Sequence, residues 1–138
     1  MAIRKWNLAL TYQPKIESVR NGTCVQTIRT IGKSGPKSVG DLISFHGWAG
    51  KPYHSLWSWR TPYWKISSAE KILLSNSGWG QEIRDAVPWD HPVTNMIARL
   101  DGIVPPTGIE LKSVLLAKNG AFPPEGVAAQ VIRWEYTK

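Results

Sequence analysis

Thr27, Arg29, Lys33 and Lys37 fall within the eleven residues T-I-R-T-I-G-K-S-G-P-K. A hydroxyl, a guanidinium and two amines with no acid among them can hold phosphate oxygens and contact a base edge. Further along, Trp48–Trp64 places four of the eight Trp and two of the four Tyr in seventeen residues, interleaved with Lys51, His54 and Arg60. Flat rings beside cations suit stacking on exposed bases, at about 1–3 kcal/mol per base. The competing use is a satellite core, with indoles packed beneath a long loop. Trp57 and Trp59 share parity, so on a strand both would face one side. Asp101, just before Gly102, offers a carboxylate that can accept from a base or simply cap a turn. Gln13, Lys15 and Arg20 supply further polar groups on the segment ahead of Thr27.

Other chemistries find little support. His46, His54 and His91 show no metal-ligand spacing, and Cys24 stands alone, so no metal and no cofactor is expected. Gly32-Lys33-Ser34 lacks the glycine five residues before Gly32 that a phosphate loop requires, since position 27 is Thr. No G-x-S-x-G elbow is present to support a serine triad. Cys24 has no histidine at a telling distance and reads as a small buried hydrophobe.

These residues need elements to position them. Trp6–Tyr12 alternates as a half-buried strand does. Gln13-Pro14 opens a short helix with Ile16 and Val19 on one face, Lys15 and Arg20 off it, and Gly22 as its stop. Cys24–Ile31 and Leu42–Phe45 are β-prone runs on either side of the Gly- and Lys-bearing loop. Trp48–Trp64 is broken by Gly50, Pro52 and Pro62 into a loop or irregular hairpin. Lys65–Ser75 reads as one strand or two, and Gln81–Val87 as one or two helical turns. Asp90 is the expected cap of a helix burying Val93, Ile97 and Leu100. Thr107 to Glu110 forms a capping box for a third helix burying Leu111, Val114 and Leu115. Val127–Tyr136 completes the chain as a long strand, edge-like at Arg133-Trp-Glu135.

The 138 residues suit one domain, 1–138, with ordinary hydrophobic and charged content of 42% and 20%. Charge is segregated. Residues 1–65 hold ten Lys/Arg and two acids, a net +8, whereas 66–138 hold seven and eight, a net −1. A one-sided basic field attracts polyanions, and solubility alone does not call for segregation. No apolar run approaches the length that spans a bilayer, no secretory signal is visible, and a single cysteine fits a reducing compartment. A cytoplasmic location and no membrane association are the expectation.

The short helix, then Gly22 with T-I-R at Thr27–Arg29, the basic loop, and Val39-Gly40-Asp41 before a strand resemble the ASCH domain, a small β-barrel family related to PUA domains. Ile97–Ile103, Glu110-Leu111 and Val131–Trp134 resemble that family's closing block. The likeness runs from about Leu8 to Tyr136, with a Trp-rich insertion at about 47–64. It implies an α+β fold: a PUA-like mixed β-barrel of about six strands with about three peripheral helices. It also implies an RNA or nucleotide ligand. Some ASCH-like proteins are amidohydrolases acting on acylated cytidine, using a lysine, a threonine three residues later and a closing-block carboxylate. Here the threonine falls on Thr27 and the carboxylate on Asp101, one methylene shorter than the family's Glu. The lysine position is occupied by Cys24, which cannot serve as that base.

The resulting expectation is a domain that binds single-stranded or modified RNA, or a nucleotide. Gln13, Lys15, Arg20, Thr27, Arg29, Lys33, Lys37, Lys51, Trp57, Trp59 and Arg60 are its binding candidates. A hydrolase in the same cleft, amidohydrolase or ribonuclease, would use Thr27 and Asp101. A protein-interaction module would use the same basic and aromatic surface differently.

Overall fold

The structure, a computed structural model, describes residues 2–48 and 57–138. Its strands are β1 (Lys5–Ala9), β2 (Gln26–Thr30), β3 (Leu42–Trp48), β4 (Trp57–Arg60), β5 (Trp64–Leu74), β6 (Gly78–Gly80), β7 (Val87–Pro88) and β8 (Val127–Trp134). Its helices are α1 (Gln13–Asn21), α2 (Pro92–Leu100) and α3 (Gly108–Asn119). The class is α+β, with three helices on a mixed sheet of eight strands.

The expected six or so strands become eight because β4, β6 and β7 add three short pairings while Lys65–Ser75 contributes one strand and not two. β4 lies in the stretch read as a loop or irregular hairpin, and it pairs antiparallel with β3, with Trp59 opposite Gly47 and a register shift at Gly47/Trp48. Gln81–Val87 forms only a 3-10 turn at Ile83–Asp85. Lys65–Ser75 is a single strand, β5, with a bulge between Ile66 and Ser68.

β1 runs parallel to β3, and β3, β5, β8 and β2 then follow in antiparallel succession. β8 is therefore central, not an edge. Its sequence hides this because Arg133 lies exposed and gives a hydrogen bond to Gln26 Oε1 at 3.0 Å. Neighbouring Val131 and Ile132 enter different cores, as the pleat demands, so the sheet is sandwiched between two apolar clusters. One cluster joins Ile72, Leu74, Leu111, Leu115 and Phe122. The other joins Val19, Ile43, Phe45, Trp64 and Trp134. Trp64 and Trp134 stack at 6.2 Å, which makes Trp64 core material and not a ligand platform.

Among the described residues no ladder joins β1 to β2, so the sheet is open where a closed barrel was expected. Yet the two ends of the strand path meet: Arg29 Nη2, on β2, donates to the Ala9 carbonyl, on β1, at 2.9 Å. A side chain bridges the seam where a ladder would otherwise run.

α1 and α3 begin and end as the sequence indicates. Gly22 caps α1 in a left-handed conformation, and Thr107 Oγ1 accepts from the Glu110 amide. α2 differs. Pro92 fixes its first turn, so His91, not Asp90, is the cap, with its Nδ1 accepting from the Val93 amide at 3.0 Å. Its buried residues are Thr94 and Ala98, while Val93 and Leu100 are exposed and Ile97 is half-buried. Thr94 occupies the core because its hydroxyl donates to the Pro88 carbonyl and accepts from the Trp79 indole.

Candidate functional site at the open seam

Three polar side chains from three elements meet beneath the seam. Lys15 projects inward from the first turn of α1, Thr27 from β2, and Asp101 from the residue that ends α2. Lys15 Nζ lies 3.2 Å from Thr27 Oγ1 and 3.2 Å from Asp101 Oδ2. All three are buried, the least accessible keeping 2% of its surface exposed and the others 4%. Arg29 Nε also donates to Thr27 Oγ1, at 3.4 Å. The threonine oxygen thus accepts from two cations, an arrangement that favours alkoxide character. Gln26 Nε2 reaches Asp101 Oδ1 at 3.5 Å. Burial pushes the Asp101 carboxyl above its ordinary value, with Lys15 and Gln26 pulling against the rise.

Lys15, on α1, brings an amine to both Thr27 and Asp101. Cys24 itself is buried, its thiol 3.4 Å from the Gln26 and Leu100 carbonyls, and burial raises its pKa. It is a small apolar filler, as its isolation in the sequence suggests.

The chamber around Lys15, Thr27 and Asp101 measures about 20 Å³, room for about one water molecule. Above it lies an open groove of about 580 Å³, a volume suited to a small organic ligand. Its walls are Trp6 and Leu8 of β1, Ile28–Thr30 of β2, the Gly32–Lys37 loop and the end of α3. The groove therefore occupies the gap in the sheet. Arg29 lines both hollows.

Cations crowd this groove. Arg29, Lys33 and Lys37 line it together, as the loop composition led one to expect. Lys37 Nζ sits 4.4 Å from the centre of the Trp6 ring, and Arg4 lies 4.1 Å from it. Partial burial, then the Arg29 and Arg4 charges, lower the Lys37 pKa. The nearest loop acid is already occupied. Asp41 accepts from the Trp6 indole at 3.0 Å, the Ser38 amide at 3.1 Å and the Arg4 amide at 3.3 Å.

The remaining candidates lie apart from the two hollows. Gln13 is exposed at the start of α1. Arg20 stacks at 5.1 Å over Trp59, which packs half-buried on the second core. Arg60 is 5.9 Å from Tyr63. Lys51 and the side chain of Trp57 lie outside the described residues. The aromatic at the groove is Trp6, which the sequence marks only by its neighbours Arg4 and Lys5. Lys118, on the last turn of α3, also lines both hollows and belongs to no motif.

Among the described residues no cluster of His, Cys, Asp and Glu could hold a metal ion, and no helix is long and apolar enough to cross a membrane. Comparison with protein families, with curated proteins and with solved structures finds no match for this chain.

Proposed function

We propose that the groove at the β1–β2 seam binds RNA or a modified nucleotide, and that the fold is an ASCH-like, PUA-type barrel left open at its ligand site. One observation carries the proposal. Lys33, Lys37 and Lys118 gather with Arg29 around a ligand-sized groove, and none of the three lysines has a carboxylate within ion-pair distance among the described residues. Mutual repulsion makes such a cluster costly unless an anion relieves it. Phosphates would lie against the cations, and Trp6 offers a ring to a base once Lys37 swings aside.

The test is titration of single-stranded RNA at several salt concentrations. Affinity falls steeply with salt, and Lys33→Ala combined with Lys37→Ala lowers the slope by about two phosphate contacts. Binding insensitive to salt and to polyanions overturns the proposal and favours a protein partner.

A second reading draws on Lys15, Thr27 and Asp101: a hydrolase at the base of the same groove. Thr27 would attack an acyl carbon or a phosphorus, and Lys15, held by Asp101, would relay the hydroxyl proton to the departing amine or ribose oxygen. Water would then release the acyl or phosphoryl group from Thr27. Thr27→Ala should then abolish turnover of an acylated cytidine or an RNA while leaving its binding intact. Undiminished turnover in that variant rules the hydrolase out.

A further inference from the structure

Beside the groove, across the C-terminal half of α3, lies a second open hollow, a cleft of about 450 Å³. Thr11, Ala117 and Lys118 line both, so the two adjoin. Lys118 also lines the closed chamber. Three hollows therefore border one residue, Lys118.

The two open hollows differ in chemistry. The groove is cationic. The cleft offers the Tyr12 ring, the Ser113 hydroxyl and the Glu110 carboxylate beside the small apolar surfaces of Val114 and Ala117. The Tyr12 hydroxyl is anchored by the Val104 backbone, which orients the ring. Hydrogen-bonding groups on an apolar floor suit a nucleobase, and an ammonium-rich groove suits the phosphates joined to it.

We infer that a single nucleic-acid strand crosses α3 at Lys118, with a base in the Tyr12–Ser113 cleft and the adjoining phosphates running past Arg29 and Lys37 toward Lys33. The path rests on the nucleotide binding proposed above and adds to it a direction, a minimum length and a contact absent from every sequence motif. Lys118 stays partly in water, yet the protein crowding its amine, then the charges of Arg29 and Lys15, bring its pKa down to about 8, with Asp101 opposing. An amine so placed gains from a phosphate above it. Because the cleft and the groove adjoin along α3, a mononucleotide fills only part of the path.

The experiment is anisotropy titration of mixed-sequence oligoribonucleotides of one to six nucleotides, in several salt concentrations, with wild-type protein, Lys118→Ala and Lys118→Arg. Among the described residues Lys118 makes no hydrogen bond or ion pair, and circular dichroism checks that both variants remain folded. Affinity should rise about tenfold or more between one and four nucleotides, as added phosphates and bases engage. Lys118→Ala should lose about one phosphate contact from the salt slope, and Lys118→Arg should keep it. Affinity that is flat with length, or an unchanged slope in Lys118→Ala, removes the path while leaving nucleotide binding standing. No binding at any length in low salt removes both.

Discussion

Lys15 and Asp101 are a buried ion pair whose partners stand 86 residues apart, and their chemistry is lopsided. Burial favours the neutral carboxyl of Asp101, and the Lys15 ammonium is the charge that opposes this. Removing one partner of such a pair costs about 3–5 kcal/mol. For Lys15→Met the loss should depend on pH. Without the ammonium, the folded-state pKa of Asp101 rises further above its unfolded value. The stability conferred by the neutral carboxyl is then full below the ordinary value of 3.8 and lost as pH rises through the folded one. Denaturation at pH 4 and pH 8 should therefore show the variant closer to wild type at pH 4; an equal deficit at both contradicts the account. Lys118 shows the opposite shift. Its amine, lowered to about 8, is partly neutral in the free protein at pH 8–9, and a bound phosphate restores its charge. RNA binding at pH 8.5 should take up a fraction of a proton, visible by calorimetry in buffers of different ionisation enthalpy, and at pH 6.5 almost none.

Elements explain how much of this site the sequence could disclose. The α1 boundaries were legible because Pro14 and Gly22 act locally. Local periodicity puts Lys15 off the buried face of α1, whereas the fold buries it against partners on β2 and at the end of α2, which no local period reveals. The buried stripe of α2 lies one position on from the apolar period for a similar reason. Thr94 is polar in sequence and core in structure, through hydrogen bonds to Pro88 and Trp79. T-I-R and the lysine loop marked the cationic wall correctly, whereas Trp6 and Lys118 reach it only through strand order and the docking of α3. Gly102 is the junction on which the site depends. It adopts φ +74°, and a Cβ there would stand 3.2 Å from both Cys24 Sγ and Lys15 Cγ. Gly102→Ala should cost about 1–3 kcal/mol and displace Lys15. Gly120→Ala, with φ +75° but open space around it, should cost the backbone strain alone and leave ligand binding unchanged. Equal effects of the two on RNA affinity would contradict the role given to Gly102.

At the scale of the molecule, the charge asymmetry of the sequence becomes a location. β1, β2 and the loop between β2 and β3 all come from the basic first half, and they enclose the gap left where β1 and β2 do not pair. The sequence showed the cations and the strands but not the gap, because edge pairing is decided by long-range register that no stretch of residues records. Leaving a seam unpaired exposes backbone groups that a ladder would satisfy. Here the Arg29 guanidinium takes the Ala9 carbonyl. The central claim is that this seam is where ligand sits. Backbone amide shifts of isotopically labelled protein, followed during titration with a short single-stranded RNA, test it most directly. The account predicts the largest changes at Trp6–Leu8, Ile28–Lys37 and Ala117–Asn119, with the exposed face of α2 around Met96 unmoved. Changes concentrated on α2, with the β1–β2 seam silent, would contradict it.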